Sequence, residues 1–340
     1  MRSPTSLMHE LKRLALRAAG VHFFRFAGGV GDHLLCTTVA REVGRRRLGP
    51  VVMLSQYRDL FRDNPDVALV VPPGGRAERL ARALLTPTDL GYNHRDPATG
   101  LGIDYDPETD TATPPQEHIL AIMCRKAGIT GRIRLRAYFY LLGHERRAAV
   151  SFRGFVAIQS SVLSARYPSP NKEWGAERFA RVASALLQEH RVVQIGDRRD
   201  PAVPCTVDLR GRTSLRQLAA VLANCRLFVG PEGFPMHLAR AVECPSVIVL
   251  GGRLAPWQTG YACNANLYTQ TPCAPCWSFH RCEHDRVCLG QIRPEDVLAA
   301  ADAMLAAPRG ELACETLNLG TPARSACGGL PSLALRAGLL

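Results

Sequence analysis

Asp32 follows directly on the glycine-rich run Ala27-Gly28-Gly29-Val30-Gly31, between an apolar strand-like segment and a helix-like one. Glycines let a backbone approach a ligand closely, and the free N–H groups at a helix start attract anions. A carboxylate in that place suits proton abstraction from a hydroxyl better than phosphate binding. Alternatively, the same carboxylate caps the helix. The turn is not a dinucleotide fingerprint, because Leu34 stands three residues after Gly31, and no Gly-Lys-Ser/Thr makes it a Walker loop.

Two further groups have the same strand, turn and helix character. Gln159-Ser160-Ser161 ends an apolar run, and Asn171-Lys172-Glu173-Trp174 follows, carrying the only lysine of the second half. Hydroxyls at a strand's carboxyl end face the crevice where open α/β sheets bind ligands, and a lysine there can serve a diphosphate as a point charge. Val229-Gly230-Pro231-Glu232-Gly233-Phe234-Pro235-Met236-His237 places Glu232 and His237 around a helix N-terminus, with a sugar or ribose hydroxyl as a natural partner for Glu232.

Cys273, Cys276, Cys282 and Cys288 form a C-x2-C-x5-C-x5-C cluster among twelve cysteines. Four thiolates would close a structural tetrahedral site for zinc or iron, leaving no position for substrate. Reduced thiols packing a loop are the other reading.

The elements that must position these groups alternate in βαβ fashion, which predicts parallel sheets. Strands are expected at Val21–Phe26, Val51–Leu54, Val67–Val71, Phe155–Gln159, Val192–Ile195, Leu227–Val229 and Val247–Leu250. Helices are expected at His33–Arg47, Gln116–Ala127, Ala176–Glu189, Ser214–Asn224 and Pro294–Leu305, with Gln217 completing a capping box on Ser214. Asp89–Pro115 lacks periodicity and reads as a long functional or mobile loop. A division into 1–148 and 149–307 follows, with an amphipathic basic helix over 1–20 and an unassigned tail over 308–340.

The 340 residues suit two domains, and 46% hydrophobic with 21% charged residues excludes a disordered chain. No run is apolar enough to span a bilayer and no export signal is evident, which predicts a cytoplasmic protein. The basic 1–20 helix could lie on an anionic lipid surface, as a peripheral membrane contact, or pack on its own domain. The net charge of +12 is almost entirely arginine, compatible with phosphorylated ligands. Nucleic acid is not expected, because aromatic and basic residues do not interleave; Arg45-Arg46-Arg47 suits a helix C-terminus instead. A redox role would need exposed, activated thiols.

Taken in order from about residue 21 to about residue 305, these motifs resemble glycosyltransferase family 9, the ADP-heptose:lipopolysaccharide heptosyltransferase family. The segments carrying the likeness are Gly29-Val30-Gly31-Asp32-His33-Leu34-Leu35-Cys36-Thr37-Thr38, Asn171-Lys172-Glu173-Trp174, Val229 through Ala241, and Pro272-Cys273-Ala274-Pro275-Cys276-Trp277. The resemblance implies an α/β GT-B architecture: two Rossmann-like domains with parallel sheets facing across a cleft, the first binding acceptor and the second a nucleotide sugar. It implies an inverting transfer that requires no cofactor, with Asp32 as general base. Gly29, Gly31 and His33 would lie at the acceptor, and Ser160, Ser161, Lys172, Glu232, Gly233 and His237 at the donor. The expected partners are a nucleotide-sugar donor and a glycan or lipid-linked acceptor. Two departures stand out: Glu232-Gly233-Phe234 replaces the family's Asp-Thr-Gly, and Thr37-Thr38 its Thr-Pro. The first leaves the sugar open and gives the alternative of a non-catalytic binding member.

Overall fold

The computed structural model describes residues 20–97, 100–308 and 310–320. The helix expected over 1–20 falls, except for Gly20, outside them, as does the tail beyond residue 320.

Four short strands, β1 (His22–Arg25), β2 (Val51–Leu54), β3 (Leu69–Val71) and β4 (Thr88–Asp89), form a parallel sheet in the order β3-β2-β1-β4. Helices α1 (Val30–Arg45), α2 (Arg76–Leu84) and α3 (Ile119–Lys126) accompany it. The long segment between β4 and α3 contains a small antiparallel hairpin, β5 (Tyr105–Asp106) and β6 (Thr111–Ala112). After β7 (Arg132–Arg134) the chain passes through α4 (Gly143–Ala148) and a single tight turn to the second sheet.

That sheet comprises β8 (Val156–Ile158), β9 (Val192–Gln194), β10 (Val207–Asp208), β11 (Leu227–Pro231), β12 (Ser246–Gly251) and β13 (Ala265–Tyr268), all parallel, in the order β10-β9-β8-β11-β12-β13. This is the doubly wound 3-2-1-4-5-6 arrangement, and the first sheet repeats its 3-2-1-4 part. Ligand crevices in such sheets open where the winding reverses, beyond the carboxyl ends of the central strands. Those places are the turns after β1 and β4 in one sheet, and after β8 and β11 in the other.

Helices α5 (Ala176–Leu186), α6 (Leu215–Asn224), α7 (Phe234–Ala241), α8 (Pro256–Thr259), α9 (Val287–Gly290) and α10 (Pro294–Ala306) complete the second half. In α6, Ser214 Oγ accepts the Gln217 N–H and Gln217 Oε1 accepts the Ser214 N–H, the expected reciprocal cap. Helix α1 is buried along nearly its whole length, from His33 to Val43, because it packs on its own sheet and also against α7. One continuous apolar core therefore includes Leu35 and Val39 of α1 together with Leu222 of α6 and Leu238 of α7.

The described part of the tail has structure: β14 (Thr316–Asn318) pairs antiparallel with β7 and buries Leu319. The chain thus returns to its first half. No helix among the described residues is long and apolar enough to cross a membrane.

Candidate functional site

Helix α1 begins at Val30, three residues before its expected start, because Asp32 reaches back to its own N-terminus. Its Oδ2 accepts the Gly29 N–H at 2.8 Å, so Asp32 caps the helix as well as facing the cleft. A Cβ on Gly28 would stand 2.4 Å from that oxygen; glycine is required there for the carboxylate to sit where it does. Asp32 Oδ1 accepts the Tyr92 hydroxyl at 2.7 Å. Burial pushes the carboxyl above the usual range, while Tyr92, the Gly29 N–H and Lys172 pull it back.

Across the cleft, Lys172 ends a single turn of 3-10 helix, Pro170–Lys172, and Glu232 follows β11. Their side chains form an ion pair in which Glu232 is buried and Lys172 partly exposed. Burial lowers the Lys172 pKa against the pull of Glu232, and Glu232 itself is held low by Lys172 and His237 despite its own burial. His237 Nε2 lies 3.8 Å from Glu232 Oε1, and its Nδ1 is 2.8 Å from the Tyr261 hydroxyl. Burial drives His237 down to about 4, so it is neutral near pH 7. The two glycine turns approach closely: a Cβ on Gly31 would touch Phe234 Cα at 3.5 Å and His237 Cδ2 at 3.8 Å. Around Gly233 there is open space.

Asp32, Lys172, Glu232, Gly233 and His237 therefore converge, with Gly31 against Phe234 and His237 where the two turns meet. His33 is buried on α1 between Phe26 and Tyr57, with Nδ1 unpartnered and its pKa lowered to about 4 by burial. The two serines have other commitments. Ser160 Oγ donates to Pro201 O at 2.7 Å and accepts from Gln194 Nε2 at 3.1 Å. Ser161 Oγ donates to Glu173 Oε2 at 2.8 Å. Their hydroxyls hold the turn after β8 in shape.

The four-sulfur site expected at Cys273, Cys276, Cys282 and Cys288 is not assembled. Cys276 and Cys288 are close enough to each other and to Cys273 to raise one another's pKa, but Cys282 Sγ instead accepts the Arg286 N–H at 3.3 Å. Among the described residues no group of three or more His, Cys, Asp or Glu takes a metal-holding arrangement. The thiol set does not fit a zinc or iron ion here.

This segment nevertheless builds the site. It folds over the turn carrying Lys172: Asn171 Nδ2 donates to Ser278 O and Arg281 O, and Ser169 Oγ donates to Phe279 O. Two of its partners were not singled out in the sequence. Arg253, after β12, is buried, donates to Ser278 O at 2.8 Å and stacks on Phe279 at 4.2 Å, with Glu232 and Tyr92 within electrostatic reach. Asp110, from the long 89–115 segment, accepts the N–H groups of Phe279, His280 and Arg281 at 2.9, 2.7 and 2.6 Å, and the Tyr105 hydroxyl at 2.8 Å. The long loop, expected to be functional or mobile, is thus tied to the opposite half at this point. The signal for Arg253 was a Gly251-Gly252-Arg253 turn after an apolar strand.

Residues 144–281 match the profile of the family described as Glycosyltransferase family 9 (heptosyltransferase). A lipooligosaccharide heptosyltransferase 2 of Campylobacter jejuni is 26% identical over 152 residues, 39% of this chain and 47% of the relative; the match spans about half the relative's length. The E. coli ADP-heptose lipopolysaccharide heptosyltransferase II structure superposes with TM-score 0.59 at 18% identity, covering 84% of this chain and 98% of the other. The iron-containing dodecameric glycosyltransferase TibC of enterotoxigenic E. coli superposes with TM-score 0.58 at 15% identity, covering 84% and 76%. The fold is α/β GT-B, and the chain is heptosyltransferase-like in the sequence of its second half.

Proposed function

We propose that this glycosyltransferase-family-9-like chain is an inverting glycosyltransferase that moves a sugar, heptose from ADP-heptose, onto a hydroxyl of a lipooligosaccharide-type glycan. The observation that carries this reading is the close approach of the turn after β1 to the turn after β11, where Gly31 lies against Phe234 and His237, which brings Asp32 within electrostatic reach of the Lys172–Glu232 pair. A structure of TibC holds ADP-D-β-D-heptose, which supports an adenine-linked heptose as the first donor to test.

Asp32 takes the proton of the acceptor hydroxyl as its oxygen attacks the anomeric carbon. The bond from that carbon to the diphosphate breaks on the opposite face, its electron pair leaving with ADP, and the centre inverts. Buried positive charge stabilises the departing diphosphate more strongly than it would in water. Lys172, Arg253 and the N-terminus of α7 supply it. Lys172 is held by Glu232 when no donor is bound. An arriving diphosphate competes for the ammonium and releases Glu232 to accept a hydrogen bond from a sugar hydroxyl. In this reading the acceptor approaches Asp32 over Gly29 and Gly31, and His33, buried between Phe26 and Tyr57, supports that wall from behind.

Calorimetric titration with ADP and ADP-heptose tests the donor half. The expected result is binding that weakens about tenfold or more in Lys172→Met. No binding of either nucleotide would contradict the reading and favour a glycan-binding member that does not turn over.

A further inference from the structure

We propose that Tyr92 is the positioning residue for Asp32: its hydroxyl donates to one carboxylate oxygen, fixes the group's orientation and favours its ionised form over its protonated one. The proposal rests on the reading of Asp32 as the base, but it is carried by independent geometry.

Tyr92 lies just past β4, the strand beside β1, so the two residues come from the two turns that flank the winding reversal of the first sheet. Each carboxylate oxygen holds one hydrogen bond, Oδ1 from the phenol and Oδ2 from the Gly29 N–H. The phenol is the donor and the carboxylate oxygen the acceptor. The phenol stays protonated because burial and Asp32 both push its own pKa well up. One donor on each oxygen fixes the rotation of the carboxylate and leaves each oxygen accepting capacity for an acceptor hydroxyl.

The surroundings hold Tyr92 in turn. Its ring meets Phe26 edge-on at 5.4 Å, and its carbonyl accepts the Ile103 N–H at 2.9 Å. Lys126, on α3, donates to the carbonyls of Gly91 and His94 on either side. Asp89 Oδ1 accepts the Gly91 N–H at 2.8 Å and Asp89 pairs with Arg25 of β1 at 2.7 Å. Other ionisable groups that bear on Asp32 are Lys172, Glu232 and, within α1, Cys36; Glu232 and Arg253 bear on Tyr92. Of these, Tyr92 alone donates to the Asp32 side chain. Without the phenol, a buried carboxylate would keep only the Gly29 N–H and distant positive charge, and would hold its proton more tightly.

Tyr92→Phe removes the hydroxyl and keeps the ring. Carbon-13 carboxyl NMR, with the Asp32 signal assigned by its loss in Asp32→Asn, follows the titration directly. The expected result is an Asp32 midpoint about one pH unit or more higher in Tyr92→Phe, with ADP-heptose affinity unchanged. Lys126→Met, which loosens the turn and leaves the phenol in place, should raise the midpoint part of the way, and it carries the test if Tyr92→Phe does not fold. A midpoint that stays put or falls overturns the proposal. The titration needs no acceptor, so it is read independently: full turnover in Asp32→Asn would defeat the base reading while leaving this measurement intact.

Discussion

Lys172 and Glu232 form an ion pair in which Glu232 is buried and Lys172 is 19% exposed, one from the segment after β8 and one from the turn after β11. Such a pair is weak evidence for stability, but removing one partner strands a charge. Lys172→Ala should therefore cost about 3–5 kcal/mol in urea unfolding. Lys172→Met combined with Glu232→Gln should recover more than half of that loss. Equal destabilisation of the single and double variants would show that the stranded carboxylate is not the cause.

His33, His118 and His237 share one pH behaviour, because burial lowers each from 6.5 to about 4. Unfolded, each binds a proton near pH 6.5, so their contribution is present above that value and lost as pH falls toward 4. The stability slope in that window should approach three protons, about 4 kcal/mol per pH unit. His118 caps α3 by accepting the Leu120 N–H at Nδ1, which makes Nε2 the donor to Gly260 O at 3.0 Å. His118→Asn keeps a good cap and should flatten the slope by about one proton. Urea midpoints at pH 7, 6 and 5 measure it; an unchanged slope would refute the assignment.

Asp110 joins the 89–115 segment to the Phe279–Arg281 backbone, and its four donors hold its pKa down to about 2 against the cost of burial. Its stabilising effect is present above about 3.8, the unfolded value, and is lost as pH falls through 2. Asp110→Ala orphans three backbone N–H groups and should cost about 3 kcal/mol. Limited proteolysis should then cut within 89–115 faster than in the unaltered protein. Resistance equal to that of the native chain would mean the segment is held by other contacts.

Much of this was legible in the residues. Apolar runs bounded by glycine turns located β1, β2, β8, β11 and β12 to within two residues at each end, because buried parallel strands are nearly continuous in hydrophobicity. Ser214 and Gln217 marked α6 through local capping alone. What escaped the sequence depends on pairing at a distance. Strand β4 is only Thr88–Asp89 and takes its place by lying beside β1, so nothing marked Tyr92 as the neighbour of Asp32. Asp110 lies in a polar segment whose order comes from amides some 170 residues later in the chain. Ser160 and Ser161 were placed at a ligand crevice by their strand-end position and at the donor by the resemblance; position does not reveal that their hydroxyls donate to Pro201 O and Glu173. The cysteine spacing likewise suggested a closed metal site, but the path of the loop turns Cys282 toward its own backbone.

The most direct test of the account is turnover of Asp32→Asn, measured as ADP release from ADP-heptose in the presence of heptose-deficient lipooligosaccharide, alongside donor affinity by calorimetry. The account predicts a fall in turnover of about 10³-fold with donor affinity close to that of the unaltered protein. Turnover within tenfold of the unaltered protein would contradict it.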